Sequence, residues 1–400
     1  MLPVHDNLRY AMGGGDFSVR PLTPFAAEVR CFLGSLSSRL MADSAAKILP
    51  DTIAFAWWCR KANIERLAAG YEDGACRIGR GLAFHVTPSN MPVNFAFSWV
   101  FSLLAGNANI VRLPGREFPQ IPLILGHTAA ILAGNDYPNV RAMNAFVSYG
   151  REEEINRGFS AMADVRILWG GDRTIEEIRR GAPLAAHAVD IGFADRYSLC
   201  VLGAEGILAL DTESLRRLAG GFFNDGYLMD QNACSSPRLV LWLGAEKETR
   251  SAMNRFWGAM ELEVEQRYTL EPVLAVDKLT QACRDAVDLE CAVDLVRSGN
   301  RVYRVRLDAL DPTLADRRCG GGYFYEYRAA SFAEFAPMVT RRCQTLTYFG
   351  VPGVELRSFV VENRLTGIDR IVPVGEAMNI GLLWDGYDLI RTLSRVCDVH

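Results

Sequence analysis

The apolar positions of this chain fall in short blocks whose spacing switches repeatedly between the helical and the strand period. Residues 24–49 and 51–69 carry helical spacing, with a break at Pro50-Asp51 and Asp51 placed to cap the second helix. A short apolar strand over 79–86 runs into Thr87-Pro88-Ser89-Asn90-Met91-Pro92, and the helix that follows, 93–104, stops at Ala105-Gly106-Asn107. Ile110-Val111-Arg112-Leu113 is a strand halted by Pro114-Gly115, and another helix is predicted over 119–133. The alternation continues with strand 140–149, helix 152–162, strand 164–168, the turn Trp169-Gly170-Gly171-Asp172, helix 174–180 and strand 199–202. Strand and helix in this succession predict an α/β fold with a parallel, doubly wound sheet. Residues 1–20 are Gly-rich and weakly patterned, which predicts a loose or docking terminus. Farther on, residues 215–218 and 222–223 make a helix face that Gly226 ends, and Leu239-Val240-Leu241-Trp242-Leu243 is a strand between Pro237 and Gly244.

One block imitates a membrane span, because residues 81–111 contain no Asp, Glu, Lys or Arg. Pro88, Asn90, Pro92, Asn94, Gly106, Asn107 and Asn109 interrupt it, so it reads as a buried strand, a turn and a buried helix. The 400 residues, half of them apolar and 22% charged, give an ordinary globular composition with room for two domains. A net charge of −4 offers no basic field to nucleic acid. Lys47, Lys61, Lys247 and Lys278 are the only lysines, which leaves few candidates for Schiff-base chemistry. The ten cysteines are scattered without a CxxC pair and no signal-peptide pattern opens the chain, so a reducing, cytoplasmic compartment is expected. The five histidines form no HExxH or Cys/His cluster, and no metal site is expected.

Three places carry candidate chemistry. Cys234 lies in Asp230-Gln231-Asn232-Ala233-Cys234-Ser235-Ser236-Pro237-Arg238, a connection between predicted helix and strand where a rigid scaffold presents a side chain. With a lowered pKa such a thiol is a nucleophile; the alternative is an inert buried thiol. Gly170 and Gly171 join a buried strand to a helix start, whose free N–H groups suit a phosphate. The turn is neither GxGxxG nor a P-loop, and a plain tight turn also explains it. The Asn90 amide is placed to donate to a developing oxyanion, against the alternative of an Asx-turn that satisfies local backbone. His85, on a buried strand, reads as a core histidine rather than a proton donor.

In order along the chain, these pieces resemble the aldehyde dehydrogenase superfamily, and more closely its LuxC-type acyl-CoA reductase branch. The resemblance rests on residues 81–92 with their Pro-x-Asn-x-Pro turn, on 104–112, on Trp169-Gly170-Gly171-Asp172 and on the Cys234 segment. It continues through Arg342-Cys343-Gln344-Thr345-Leu346-Thr347-Tyr348, Gly367-Ile368-Asp369-Arg370-Ile371-Val372-Pro373 and Trp384-Asp385-Gly386-Tyr387-Asp388-Leu389. It implies an aldehyde dehydrogenase-like fold: N-terminal helices and a doubly wound cofactor-binding domain over 1–205, then an α/β catalytic domain over 206–400. It implies Cys234 as nucleophile and Asn90 as the side chain that helps hold the oxyanion. Thr87, Pro88, Ser89, Arg112, Gly170, Gly171, Asp172 and Thr174 are the implied cofactor-binding residues. Arg112 stands where the family usually places a lysine on the adenosine ribose, and an arginine there suits the 2′-phosphate of NADPH.

One departure bears on the reaction. Hydrolytic members carry a water-activating glutamate in Glu-Leu-Gly-Gly-Lys, whereas the comparable Asp190-Ile191-Gly192-Phe193-Ala194-Asp195-Arg196 has none, with Asp190 as the nearest substitute. Without that base an acyl-enzyme resists water and exchanges with a thiol such as coenzyme A. The implied activity is NADPH-dependent reduction of an acyl-CoA, or other acyl thioester, to an aldehyde through a thioacyl-cysteine, with a fatty acyl group as the expected substrate. A homo-oligomer is expected, working with acyl-transferring or acyl-activating partner proteins, although no room precedes Gly81 for the superfamily's full oligomerisation hairpin. Three readings compete: an aldehyde dehydrogenase running in the oxidative direction, a cysteine-dependent acyltransferase or hydrolase without redox chemistry, and a non-catalytic subunit that binds acyl chains.

Overall fold

A computed structural model describes residues 5–14, 17–72 and 74–398. The chain forms two compact units, one running to Ala194 and taking in the C-terminal residues from Tyr387, the other spanning Asp195–Gly386. The division therefore falls earlier than the expected 205/206, and the C-terminal segment returns to the first unit.

The first unit is built on a six-stranded sheet. Its strands are β1 (Arg9–Met12), β3 (Leu82–Val86), β4 (Ala108–Arg112), β5 (Asn144–Ser148), β6 (Val165–Trp169) and β7 (Val189–Phe193), while β2 (Arg77–Gly79) pairs separately with the C-terminal strand Ser394–Val396. The order is β1-β5-β4-β3-β6-β7, parallel except for β1. Growth of the sheet thus runs from β3 through β4 to β5, then turns back to place β6 and β7 on the other side of β3. The turns after β3 and β6 open at that switch point, where α/β sheets bind ligands.

The uncharged segment forms β3, the buried helix Asn94–Leu104 and β4. Asn107 and Asn109 are buried in the core: Asn109 Nδ2 donates to Asn144 Oδ1 at 2.9 Å, and Trp99 Nε1 donates to the same oxygen at 2.6 Å. His85 is fully buried between Ser98 Oγ at 2.8 Å and Asn109 Oδ1 at 3.1 Å, and burial holds its pKa down at about 4. It is a neutral core histidine with both ring nitrogens partnered.

Local chemistry also explains where elements differ from the periodic pattern. The expected strand 79–86 is two strands because Gly81 turns the chain at φ +138°, where a Cβ would lie 2.0 Å from the Asp164 carboxylate. Pro138 at a helix start converts the front of the expected strand 140–149 into the helix Pro138–Ala142. Leu49, rather than Asp51, caps the helix Pro50–Trp58; the Asp51 carboxylate accepts the Thr52 N–H at 2.8 Å.

The second unit carries a seven-stranded sheet. Its members are β8 (Tyr197–Gly203), β9 (Pro237–Leu243), β10 (Ala292–Ser298), β11 (Val302–Leu307), β12 (Tyr323–Ala329), β13 (Cys343–Phe349) and β14 (Arg370–Pro373). The order is β10-β11-β12-β9-β8-β13-β14, with β10 alone antiparallel. β8 is buried along its whole length and pairs on both sides, which is why residues 197–203 belong to this unit. On one face the helices Thr212–Gly226 and Glu246–Arg267 pack Phe222, Phe256 and Trp257 against Trp242 and Phe324.

Candidate active site

The candidate cofactor residues gather at the carboxyl edge of the first sheet. Val86 pairs with Arg112 on one side and Leu168 on the other, so the ends of β3, β4 and β6 are level. Thr87 Oγ1 donates to the Arg112 carbonyl at 2.7 Å and joins two of these ends. Ser89 and Asn90 are exposed in the turn beyond. The Arg112 guanidinium lies 4.4 Å from the Tyr149 ring centroid and donates to the Gly150 carbonyl. Gly171 caps the helix Asp172–Gly181, and Asp172 and Thr174 are exposed in its first turn.

Neither φ nor close packing demands a glycine at 170, where a Cβ would meet only Thr174 at 3.7 Å. A side chain there would instead fill the space over the helix start, which suits a diphosphate resting on main-chain N–H groups. Trp169 and Phe193, ending β6 and β7, stack with ring centroids 3.8 Å apart and wall the same edge. Asp190 is an unsuitable water-activating base, since Arg166 and Arg179 both pair with its carboxylate.

Cys234 belongs to the second unit and stands at the amino edge of its sheet, just before β9. The helix Thr212–Gly226 ends there, and Asp230 and Gln231 follow at φ +50° and +58°, backbone that non-glycine residues adopt only when held. Gln231 does the holding. Fully buried, it donates to the carbonyls of Pro237 and Tyr323, both at 3.1 Å, and accepts from the N–H groups of Gly322 and Tyr323, both at 2.9 Å. All the hydrogen-bonding capacity of its amide goes into fixing this loop against β12. Ser198 Oγ, from β8, donates to the Cys234 carbonyl at 2.7 Å and accepts from Thr345 N–H at 3.1 Å.

Around the half-buried thiol are Gln344 from β13, whose Nε2 lies 3.2 Å from Sγ, and Asp385, which accepts from the same Nε2. Arg196 reaches Asp369 at 3.5 Å and Asp385 at 3.9 Å. Arg370 donates to the carbonyls of Ala377 at 3.1 Å and Asn379 at 2.9 Å, while Asp225 accepts from Gly375 N–H at 2.7 Å and Ala377 N–H at 2.9 Å. These bonds fix the 374–379 loop, whose Met378 sulfur accepts from Ser235 Oγ at 3.7 Å.

The lowered pKa that would make this thiol a ready nucleophile is not found. Burial, reinforced by the negative charge of Asp385, pushes Cys234 up to about 11, against the downward pull of Gln344, its own backbone N–H and Arg370. The thiol form is therefore favoured at neutral pH.

Gln344, Asp385, Arg370, Asp225 and Ser198 were absent from the expected site. Gln344, Asp385 and Arg370 do lie in segments that carried the resemblance, but β13 reads Cys-Gln-Thr-Leu-Thr-Tyr-Phe and does not single out Gln344.

The fold is that of the aldehyde dehydrogenases. An NAD-dependent benzaldehyde dehydrogenase from Corynebacterium glutamicum superposes with a TM-score of 0.59 at 12% identity, covering 94% of this chain and 85% of its own. Aldehyde dehydrogenase 21 from Physcomitrella patens gives 0.64 at 11% identity over 92% and 85%. An indole-3-acetaldehyde dehydrogenase complexed with NAD+ gives 0.63 at 10% identity over 93% and 83%. No curated protein matches significantly by sequence. The acyl-CoA reductase (LuxC) family model matches residues 65–396, and the chain belongs to that family. Membership makes it an oxidoreductase of acyl and aldehyde groups. Among the described residues no helix is long and apolar enough to cross a membrane.

Proposed function

We propose that this protein reduces an acyl-CoA thioester, with a fatty acyl chain, to the aldehyde using NADPH. The observation that carries the reading is a thiol clamped at a sheet edge with an amide donor on its sulfur. Cys234 Sγ gives up its proton as it attacks the thioester carbonyl, the bond to coenzyme A breaks, and the departing thiolate takes a proton. A thioacyl-cysteine remains. NADPH, held by the residues assigned below, would supply the hydride that the thioester carbon takes up. Asn90 and the Cys234 backbone N–H are the donors assigned to the oxyanion. The resulting thiohemiacetal collapses to aldehyde and frees the sulfur, with one further proton taken up overall.

Asp190 lies in ion pairs and residues 190–196 hold no glutamate, so the thioacyl group is expected to outlast attack by water. Gly170, Gly171, Thr174 and the turn Thr87-Pro88-Ser89 are assigned to the cofactor diphosphate and neighbouring ribose. Asp172 is assigned to the same helix start. Arg112, steadied by Tyr149 and Gly150, is assigned to the 2′-phosphate. Action in the cytoplasm, as a homo-oligomer with partner enzymes that deliver or remove acyl groups, completes the proposal. A hydrolase is disfavoured because residues 195–386 contain no histidine to serve as the base beside Cys234 within its own unit. The test is NADPH oxidation with acyl-CoAs of graded chain length; no oxidation with any of them would overturn the reading.

A further inference from the structure

Irregular pairing on both sides of β8 shapes the surroundings of Cys234. Cys343 pairs with Tyr197 but Leu346 with Leu199, leaving an extra residue in β13; Pro237 pairs with Ser198 but Leu239 with Leu199, leaving an extra residue in β9. Such bulges bend a strand and re-aim its side chains. Here one lies beside Gln344 and the other just after the cysteine loop, and the Ser198 hydroxyl bonds to main-chain groups on both sides.

Gln344 is fully buried, with Nε2 3.2 Å from Cys234 Sγ and bonded also to Asp385 Oδ1. Its Oε1 accepts from Thr345 Oγ1 at 3.2 Å. An ionised carboxylate can only accept, and Thr345 offers a donor to the other end of the amide. Both neighbours therefore select the orientation that points N–H at the sulfur. Asp385 itself sits at φ +50°, which Asp and Asn tolerate better than most residues, with Arg196 beside it.

We propose that Gln344 holds the Cys234 sulfur and favours its thiolate, and that Asp385 is the positioning residue that keeps the N–H end of the amide towards it. This rests on Cys234 being the nucleophile and names the groups that make its thiol usable. A hydrogen bond to a charged acceptor is stronger than one to a neutral acceptor, so the amide favours thiolate over thiol. The charges bearing on the sulfur are Arg370 from β14 and Arg238 from β9, which also favour the thiolate, and Asp385, which opposes it.

Iodoacetamide alkylation of the whole protein, followed at Cys234 by peptide mass mapping between pH 7 and 9.5, tests this without acyl-CoA or cofactor. Gln344→Met keeps the size and removes the donor. It should slow alkylation of Cys234 about tenfold to a hundredfold at each pH, while exposed Cys31 keeps its rate. Asp385→Asn removes both a charge and an anchor. It should speed alkylation in the Gln344→Met background and give a smaller gain, or a loss, when Gln344 is present. Wild-type reactivity in folded Gln344→Met, or one identical factor for Asp385→Asn in both backgrounds, would overturn the proposal. Should Gln344→Met not fold, Thr345→Val gives the same reading: a slower Cys234 supports the orientation, and an unchanged one refutes it. Loss of the reductase reading would show separately, as normal alkylation of Cys234 with no acyl uptake.

Discussion

The two sheets present their chemistry at opposite edges and in opposite ways. At the carboxyl edge of the first, the candidate cofactor residues lie on turns between regular elements. Ser89, Asn90, Asp172 and Thr174 are exposed, and the helix Asp172–Gly181 begins at this edge with its main-chain N–H groups. At the amino edge of the second, the reactive atom is a side chain and nearly every neighbour is anchored. Gln231 makes four hydrogen bonds to fix the loop, Ser198 ties it to two strands, and Gln344 reaches the sulfur itself. An open turn that relies on backbone donors suits a ligand that enters and leaves. A nucleophile must keep its position to a fraction of an ångström, and that takes a second layer of side chains.

Asn90→Ala tests whether the open edge takes part in the chemistry. It should lower turnover roughly a hundredfold to a thousandfold, the usual loss for one oxyanion donor, with little change in substrate binding. Near-normal turnover would return Asn90 to the role of a turn residue.

Gln231→Ala tests the anchored edge. It strands buried partners in a loop held at positive φ, and should destabilise the second unit by about 3 kcal/mol or more in denaturant unfolding. Ser89→Ala, on the open edge, should change stability by less than about 0.5 kcal/mol. Equal costs would erase the contrast between the edges.

The polar core under the first edge makes a pH prediction. Burial lowers the folded-state pKa of His85 to about 4, below the ordinary 6.5. The stabilisation from keeping it neutral is therefore complete above pH 6.5 and is lost as pH falls from there towards 4. The loss is on the order of 3 kcal/mol. Melting temperature against pH should show it, and His85→Gln should flatten that part of the curve.

A smaller effect belongs to Arg112, whose replacement by Leu should weaken NADPH binding about tenfold relative to NADH. Equal losses for both cofactors would remove its assignment to the 2′-phosphate.

In the first sheet β3 to β6 were legible because each is a short apolar run followed by a helix, which periodicity reports directly; β7, interrupted by Asp190 and with no helix after it, was not. β1 escaped because Arg9–Met12 is only four residues at the sheet edge beside a Gly-rich stretch, too short for its alternation of exposed and half-buried positions to register. Cys234 was legible from its segment, but its surroundings were not. Gln344 comes from 110 residues away, and a bulge brings it to the sulfur; bulges leave no simple mark in an apolar pattern. The raised thiol pKa was hidden for the same reason, since burial and the charge of Asp385 are products of the fold.

The central claim is a thioacyl group on Cys234 that waits for hydride, and intact-protein mass spectrometry reads it directly. Incubation with acyl-CoA and no nicotinamide should add one acyl mass, mapped to Cys234 and absent from Cys234→Ala. NADPH should then discharge it as aldehyde, and free coenzyme A should return it as acyl-CoA. Rapid release of free acid, no covalent adduct, or labelling only at another cysteine would contradict the account.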